Sequence, residues 1–138
     1  MFKKLKEKKG FTLVELIVVL VILAILAALL IPALTKYIDK AKEKDIIAET
    51  RQTVMAAQTE VDEAYAKVDV GTKITIGDDM KKEIADLAEV DVNNIGTITL
   101  SADNKVDSLT YTKKGKTCTY TRTPETGKEK YSVAKAGN

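Results

Sequence analysis

Residues 16–35 form an uncharged run of twenty residues, and the apolar positions after it fall into a sparser pattern among charges. As a helix the run rises roughly 30 Å, the thickness of a hydrocarbon core, so it predicts a membrane-spanning segment. Beyond it, Leu34, Ile38 and Ala41, then Ile47, Val54, Val61, Tyr65 and Val68 recur at gaps that mark one helical face. No proline or glycine interrupts residues 33–70. The pattern predicts one long helix from near Phe11 to near Val70, whose second half lays an apolar stripe on a small domain. Alanine-rich and charge-interrupted positions break any sustained heptad, which argues against a coiled coil.

Gly71 is the expected helix stop, and residues 73–76 read as a short extended segment. Asp78 is placed to cap a second helix through about Glu89, with Met80, Ile84, Leu87 and Ala88 on one face. Residues 95–101, 106–113, 116–123 and 128–133 are rich in Thr, Tyr, Val and Ile. Turn formers at residues 102–105, 114–115 and 124–127 separate them, so they predict antiparallel strands. The expected fold class is α+β: one long N-terminal helix with its amphipathic half packed on a small antiparallel sheet.

Charge changes the picture at the start of the chain. The protein has 22 basic and 20 acidic residues, but the first ten residues hold five lysines and one glutamate, leaving 17 basic and 19 acidic after them. The basicity is therefore mainly a property of the N-terminal ten, and it lends no support to a general nucleic-acid role. Lys3, Lys4, Lys6, Lys8 and Lys9 favour a cytoplasmic N-terminus; Lys36, Lys40, Lys42 and Lys44 on the other flank weaken that bias. A secretory signal peptide would have a shorter apolar run followed closely by an A-x-A site, and none follows.

Between the basic start and the apolar run stands Gly10-Phe11-Thr12-Leu13-Val14-Glu15. A glutamate at the edge of a membrane-fit segment is costly and calls for a cationic partner. With the lysine-rich leader before it, the apolar run after it and Pro32 within that run, this junction resembles the class III leader of type IV pilins and their relatives. The resemblance covers residues 1 to about 45. It implies a prepilin peptidase that cuts after Gly10 and methylates the amine of Phe11. Glu15 then pairs with a charged Phe11 amine during assembly. It also implies residues 1–10 as a removed leader, 11–35 as the membrane and filament-core half of the helix, 36–70 as its amphipathic half, and 71–138 as a C-terminal head. Pro32 cannot donate a helical hydrogen bond, so a bend or loosened turn near Ala28 is expected. Pilins associate a proline at this place with local melting. Ala24, Ala27 and Ala28, strong helix formers, stand where many relatives carry a glycine and argue against extensive melting.

The resemblance further implies a structural role. The partners are further copies of the chain, the peptidase and, indirectly, the assembly platform and its ATPase. The precursor is a single-pass membrane protein and the product a cell-surface filament. A pseudopilin of a type II secretion or competence system shares the same N-terminal module, and a membrane-anchored binding protein that keeps its leader is the reading from another class. The single Cys118 cannot form the internal disulfide found in many Gram-negative pilins, a departure that favours a Gram-positive or otherwise divergent relative.

Catalytic chemistry finds little footing. There is no histidine, so the usual base beside a nucleophile is missing, and Cys118 reads as a small apolar strand residue. Residues 91–96 begin like a calcium loop, but Ile95 supplies no side-chain oxygen and Ala102 stands at the closing glutamate's place. Residues 123–127 faintly resemble a sortase signal without its leucine or hydrophobic tail, and read better as a turn. No enzyme activity, metal or cofactor is expected. Lys113, Lys114, Lys116, Arg122, Lys128 and Lys130 form a basic cluster suited to an anionic surface, yet solvated strand lysines are the simpler account; nucleic acid is a conceivable but unsupported partner.

Overall fold

The computed structural model describes residues 12–135. Its elements are helix α1 (Leu13–Tyr65), helix α2 (Asp78–Ala88), a turn of 3-10 helix (Val92–Asn94), and strands β1 (Ile95–Leu100), β2 (Val106–Lys113), β3 (Lys116–Thr121) and β4 (Tyr131–Lys135). The strands form one antiparallel sheet in the order β1-β2-β3-β4, a meander. The α+β architecture expected from the pattern is the one observed. The chain divides into two units, with the boundary between Lys40 and Ala41.

The first unit is helical from Leu13, and every described residue in it is solvent-exposed. The second unit holds the hydrophobic core. There α1 buries Ile46, Thr50, Thr53, Val54, Ala56, Ala57 and Val61. The sheet supplies Ile95, Val106, Leu109, Tyr111 and Cys118, and α2 supplies Ile84, Ala85 and Ala88.

The buried face of α1 is thus narrower and smaller than the expected stripe. Val54 and Val61 belong to it and Ile47 lies beside it, but Ala41 and Val68 are exposed. Alanines at positions 56 and 57 and two threonines carry the close contact instead. Burial of the threonines is made cheap by hydroxyls that bond back to the preceding turn, Thr50 to the Ile46 carbonyl (2.6 Å) and Thr53 to the Glu49 carbonyl (2.8 Å). On α2, Leu87 is 51% exposed and Ala85 takes the buried place expected for it.

Several details differ from the sequence expectation. Strand β3 ends at Thr121 rather than at residue 123, and β4 runs Tyr131–Lys135 rather than 128–133, the longer β3–β4 connection taking up residues 122–130. Helix α1 stops at Tyr65 rather than near Val70, because the chain beyond Val61 has no core to cover. Gly71 sits at φ 90° in the following turn, and its N–H donates to the Tyr65 hydroxyl (2.8 Å). Gly77, not Asp78, is the N-cap of α2, and Asp78 and Asp79 fall in its first turn, where the helix dipole favours acids. Residues 73–76 pair with no strand. They are held by Asn104, whose side chain accepts from the Ile74 N–H (2.8 Å) and donates to the Thr72 carbonyl (2.8 Å).

Two irregularities keep apolar side chains on the core side of the sheet. Ile95 pairs with Tyr111 but Ile98 pairs with Leu109, so one extra residue is absorbed in β1. Gly96 lies in that bulge, and a Cβ there would meet the Thr110 hydroxyl at 2.2 Å. On the other strand, Thr99 pairs with Ser108 and Leu100 with Val106, which leaves Asp107 as the extra residue and lets Val106 and Leu109 face the same way. Lys114 and Gly115, both at positive φ, make the tight β2–β3 turn. The opposite sheet face is threonine-rich and wet, with Thr99 bonded to Ser108 and Thr112 to Thr117 across the strands.

Candidate functional site

Gly10 and Phe11, the expected cleavage and methylation positions, lie outside the described residues, as does the lysine-rich leader. The structure begins at the next residue of the motif. Thr12 is not helical, and its carbonyl accepts the first turn's N–H from Leu16 (3.1 Å). Its hydroxyl accepts the N–H of Glu15 at 3.2 Å, while the Glu15 carboxylate accepts the N–H of Thr12 at 3.4 Å. Threonine at the N-cap and glutamate three residues on form a reciprocal capping box, which satisfies donors that a helix start leaves unpaired. The carboxylate also meets the positive end of the helix dipole. Glu15 stands out in the sequence by its charge and Thr12 does not, although the Thr-x-x-Glu spacing is the signature of such a box.

From this cap α1 presents an apolar surface with nothing on it. Its most apolar window has a mean hydropathy of 3.3, and none of it is buried. Leucine, isoleucine and valine side chains from Leu13 to Leu34 are between about two-fifths and three-quarters exposed. Roughly 25 cal/mol per Å2 of apolar surface makes such an element untenable in water alone. It needs lipid or other helices. Pro32 lies inside α1, which is helical on both sides of it, and the Thr35 hydroxyl returns to the Ile31 carbonyl (3.0 Å).

The second unit assigns ordinary structural work to the residues singled out for chemistry. Cys118 is fully buried, and burial pushes its thiol above its ordinary range. The Asp91 carboxylate accepts from the Asn93 N–H (2.9 Å), capping the 3-10 turn. Among the described residues no three His, Cys, Asp or Glu converge as a metal site. Residues 123–127 lie in the β3–β4 connection, with Gly127 at φ 86°.

The basic cluster is partly spent inside the fold. Lys113 lies 2.6 Å from Glu49 and 3.5 Å from Asp45, and Lys116 lies 3.9 Å from Glu43, so the β2–β3 hairpin is pinned to α1. Beneath this, the buried Tyr111 hydroxyl donates to Glu49 (3.2 Å) and accepts from Asn94 (3.4 Å). Arg122 sits 3.3 Å from Asp107, close enough for an ion pair but without hydrogen-bond alignment at its Nε. Lys114 in the β2–β3 turn and Lys128 and Lys130 in the β3–β4 connection remain exposed. A second polar knot uses Gln58, which donates to the Asn104 carbonyl (3.1 Å) and accepts from the Val106 N–H (2.8 Å).

Residues 5–31 match the family model for the prokaryotic N-terminal methylation motif. That span contains the Gly10-Phe11 junction, the Thr12–Glu15 cap and most of the exposed apolar surface. No solved structure matches the chain.

Proposed function

We propose that this chain is a structural subunit of a type IV pilus-like filament, a pilin. It is made as a membrane precursor with its N-terminus in the cytoplasm, cut after Gly10 by a prepilin peptidase, and N-methylated at Phe11. It then passes through the assembly platform into a surface polymer. The observation that carries the reading is the bare apolar face of α1 directly behind the capped Thr12–Glu15 turn, inside the residues that match the methylation motif. That face suits lipid before assembly and the corresponding helices of other copies afterwards, with the sheet-bearing unit kept outside.

Glu15 is the proposed assembly contact. A carboxylate in a low-dielectric filament core is expensive unless a cation sits beside it, and cleavage creates one in the Phe11 amine. The amine of a neighbouring subunit is the partner that rewards correct axial register, and methylation keeps its charge. In the single subunit Glu15 is exposed and spends one oxygen on a long bond to Thr12. The carboxylate therefore has capacity for a neighbour.

Immunogold labelling of intact cells tests this reading. Long labelled fibres support the pilin; label confined to the envelope places the chain with the pseudopilins of secretion or DNA-uptake systems. A Gly10→Val variant should stay at full length in the membrane, and normal processing of that variant argues against a prepilin.

A further inference from the structure

We infer that Lys36, Tyr37 and Lys40 form a binding site for the phosphate of an anionic phospholipid at the C-terminal end of the apolar run. The inference rests on the membrane-precursor reading above and adds a lipid class to it. Ala33, Lys36, Tyr37 and Lys40 recur at helical spacing, so they share one face of α1 within the first unit. Together they line a shallow cleft of about 200 Å3, to which Ala33 contributes only a methyl group. Lys36, Tyr37 and Lys40 are all exposed, Tyr37 by 73%.

Two lysines one turn apart on the same face repel each other, and this pair has no internal relief. Among the described residues neither takes part in an ion pair, whereas Lys113 and Lys116 are met by Asp45, Glu49 and Glu43. Asp39, the acid of residues 33–40, falls to the side of the shared face and pairs with neither lysine. The balancing anion has to come from outside the chain. Its source follows from position. Residues 16–35 carry no charge and need lipid, and Lys36 is the first charged residue after them. Helical side chains lean toward the N-terminus, so Lys40 reaches back toward the apolar run while Lys36 stands at its edge. Their Cα atoms are about 6 Å apart along the axis, which puts both ammonium groups at the depth of headgroup phosphates. Tyrosine, an apolar ring with a polar tip, suits the same layer. A free phosphate would leave the ring and the apolar edge bare; a phospholipid brings acyl chains and anion in one molecule. A zwitterionic headgroup fits less well, because its own ammonium competes with the lysines.

The chain has no tryptophan, so Tyr37→Trp in the full-length protein places a single tryptophan reporter in the cleft and keeps an aromatic ring with a polar edge. This reporter chain is reconstituted in vesicles of equimolar phosphatidylcholine and phosphatidylglycerol, with bromine on the acyl chains of one lipid or of the other. Quenching then gives the relative occupancy of the two lipids. Phosphatidylglycerol should be preferred by about fivefold over its share of the bilayer. Adding Lys36→Gln and Lys40→Gln should remove the preference, whereas Lys128→Gln and Lys130→Gln should leave it unchanged. Equal quenching by the two lipids in the reporter chain overturns the inference. So does a preference that survives without Lys36 and Lys40, or one that is lost with the Lys128 and Lys130 changes. A reporter that neither brominated lipid quenches would instead overturn the membrane reading itself, since the apolar run would then not lie in lipid.

Discussion

The two units of this protein solve opposite problems. Residues 12–40 bury nothing within the chain, whereas residues 41–135 close a small core with polar knots at its margins. The first is a surface that lacks its partner, and its chemistry is simple: a capped start bearing one carboxylate, a run of aliphatic side chains and a lysine-bearing end. The second makes its contacts within itself, as at Asn104, whose side-chain amide is bonded at both ends. Changes in the first unit should therefore alter what the protein joins, and changes in the second should alter whether it folds.

The largest effect expected from this contrast is at Glu15. Glu15→Leu keeps the Thr12 hydroxyl bond and should still be cut after Gly10, yet its incorporation into fibres should fall by about tenfold or more, since the assembly charge pair is gone. The thermal melt of the C-terminal unit, read on the full-length protein in detergent, should not move. Efficient fibres built from Glu15→Leu alone would break the charge-pairing account.

Asn104→Ala should do the reverse. It strips partners from the Ile74 N–H and the Thr72 carbonyl and puts alanine at φ 59°, so about 2–3 kcal/mol of stability should be lost in denaturant melts while leader cleavage stays normal. Gly96→Ala should cost somewhat less, about 1–3 kcal/mol, because a Cβ within 2.2 Å of the Thr110 hydroxyl forces β1 and β2 apart. An unchanged melt for that variant would mean that the bulge is not held as described.

A smaller effect should appear in alkali. The Glu49 hydrogen bond, despite some opposing desolvation, holds the Lys113 ammonium above its ordinary value of 10.5, and burial holds the Tyr111 phenol above 10.0. Both groups therefore keep their protons more tightly in the folded state. Their contribution is fully present below about pH 10 and is lost as pH rises through the raised values. Paired Lys113→Met and Tyr111→Phe substitutions should flatten the decline of melting temperature above pH 10; an equally steep decline would assign it to other groups.

The first unit was legible in the sequence because its signals are local and repeated: twenty uncharged residues admit few structures, and the junction before them is a linear motif. The four strands were legible for the same reason, each bounded by turn residues such as Lys114-Gly115 whose backbone demands show in their chemistry. The buried face of α1 was not. Thr50 and Thr53 look like surface residues until their hydroxyls fold back on the helix, and Ala56 and Ala57 carry too little apolar surface to mark a face, yet both are buried in the core. Leu87 and Ala85 exchanged roles on α2 because periodicity marks a face without fixing its rotation toward a core. The Tyr65 end of α1 likewise depends on where the rest of the unit stops, which no local signal records. In the candidate site Glu15 stood out by its charge, while Thr12 was hidden by being ordinary.

The central claim, that a capped apolar helix loses its leader by cleavage and is then built into a fibre, is tested most directly at the new N-terminus. Fibres sheared from the cell surface, digested and analysed by mass spectrometry, should yield an N-terminal peptide that begins at N-methylated Phe11 and no peptide from the leader. Fibre or surface material that retains residues before Phe11, or begins elsewhere, would contradict the account.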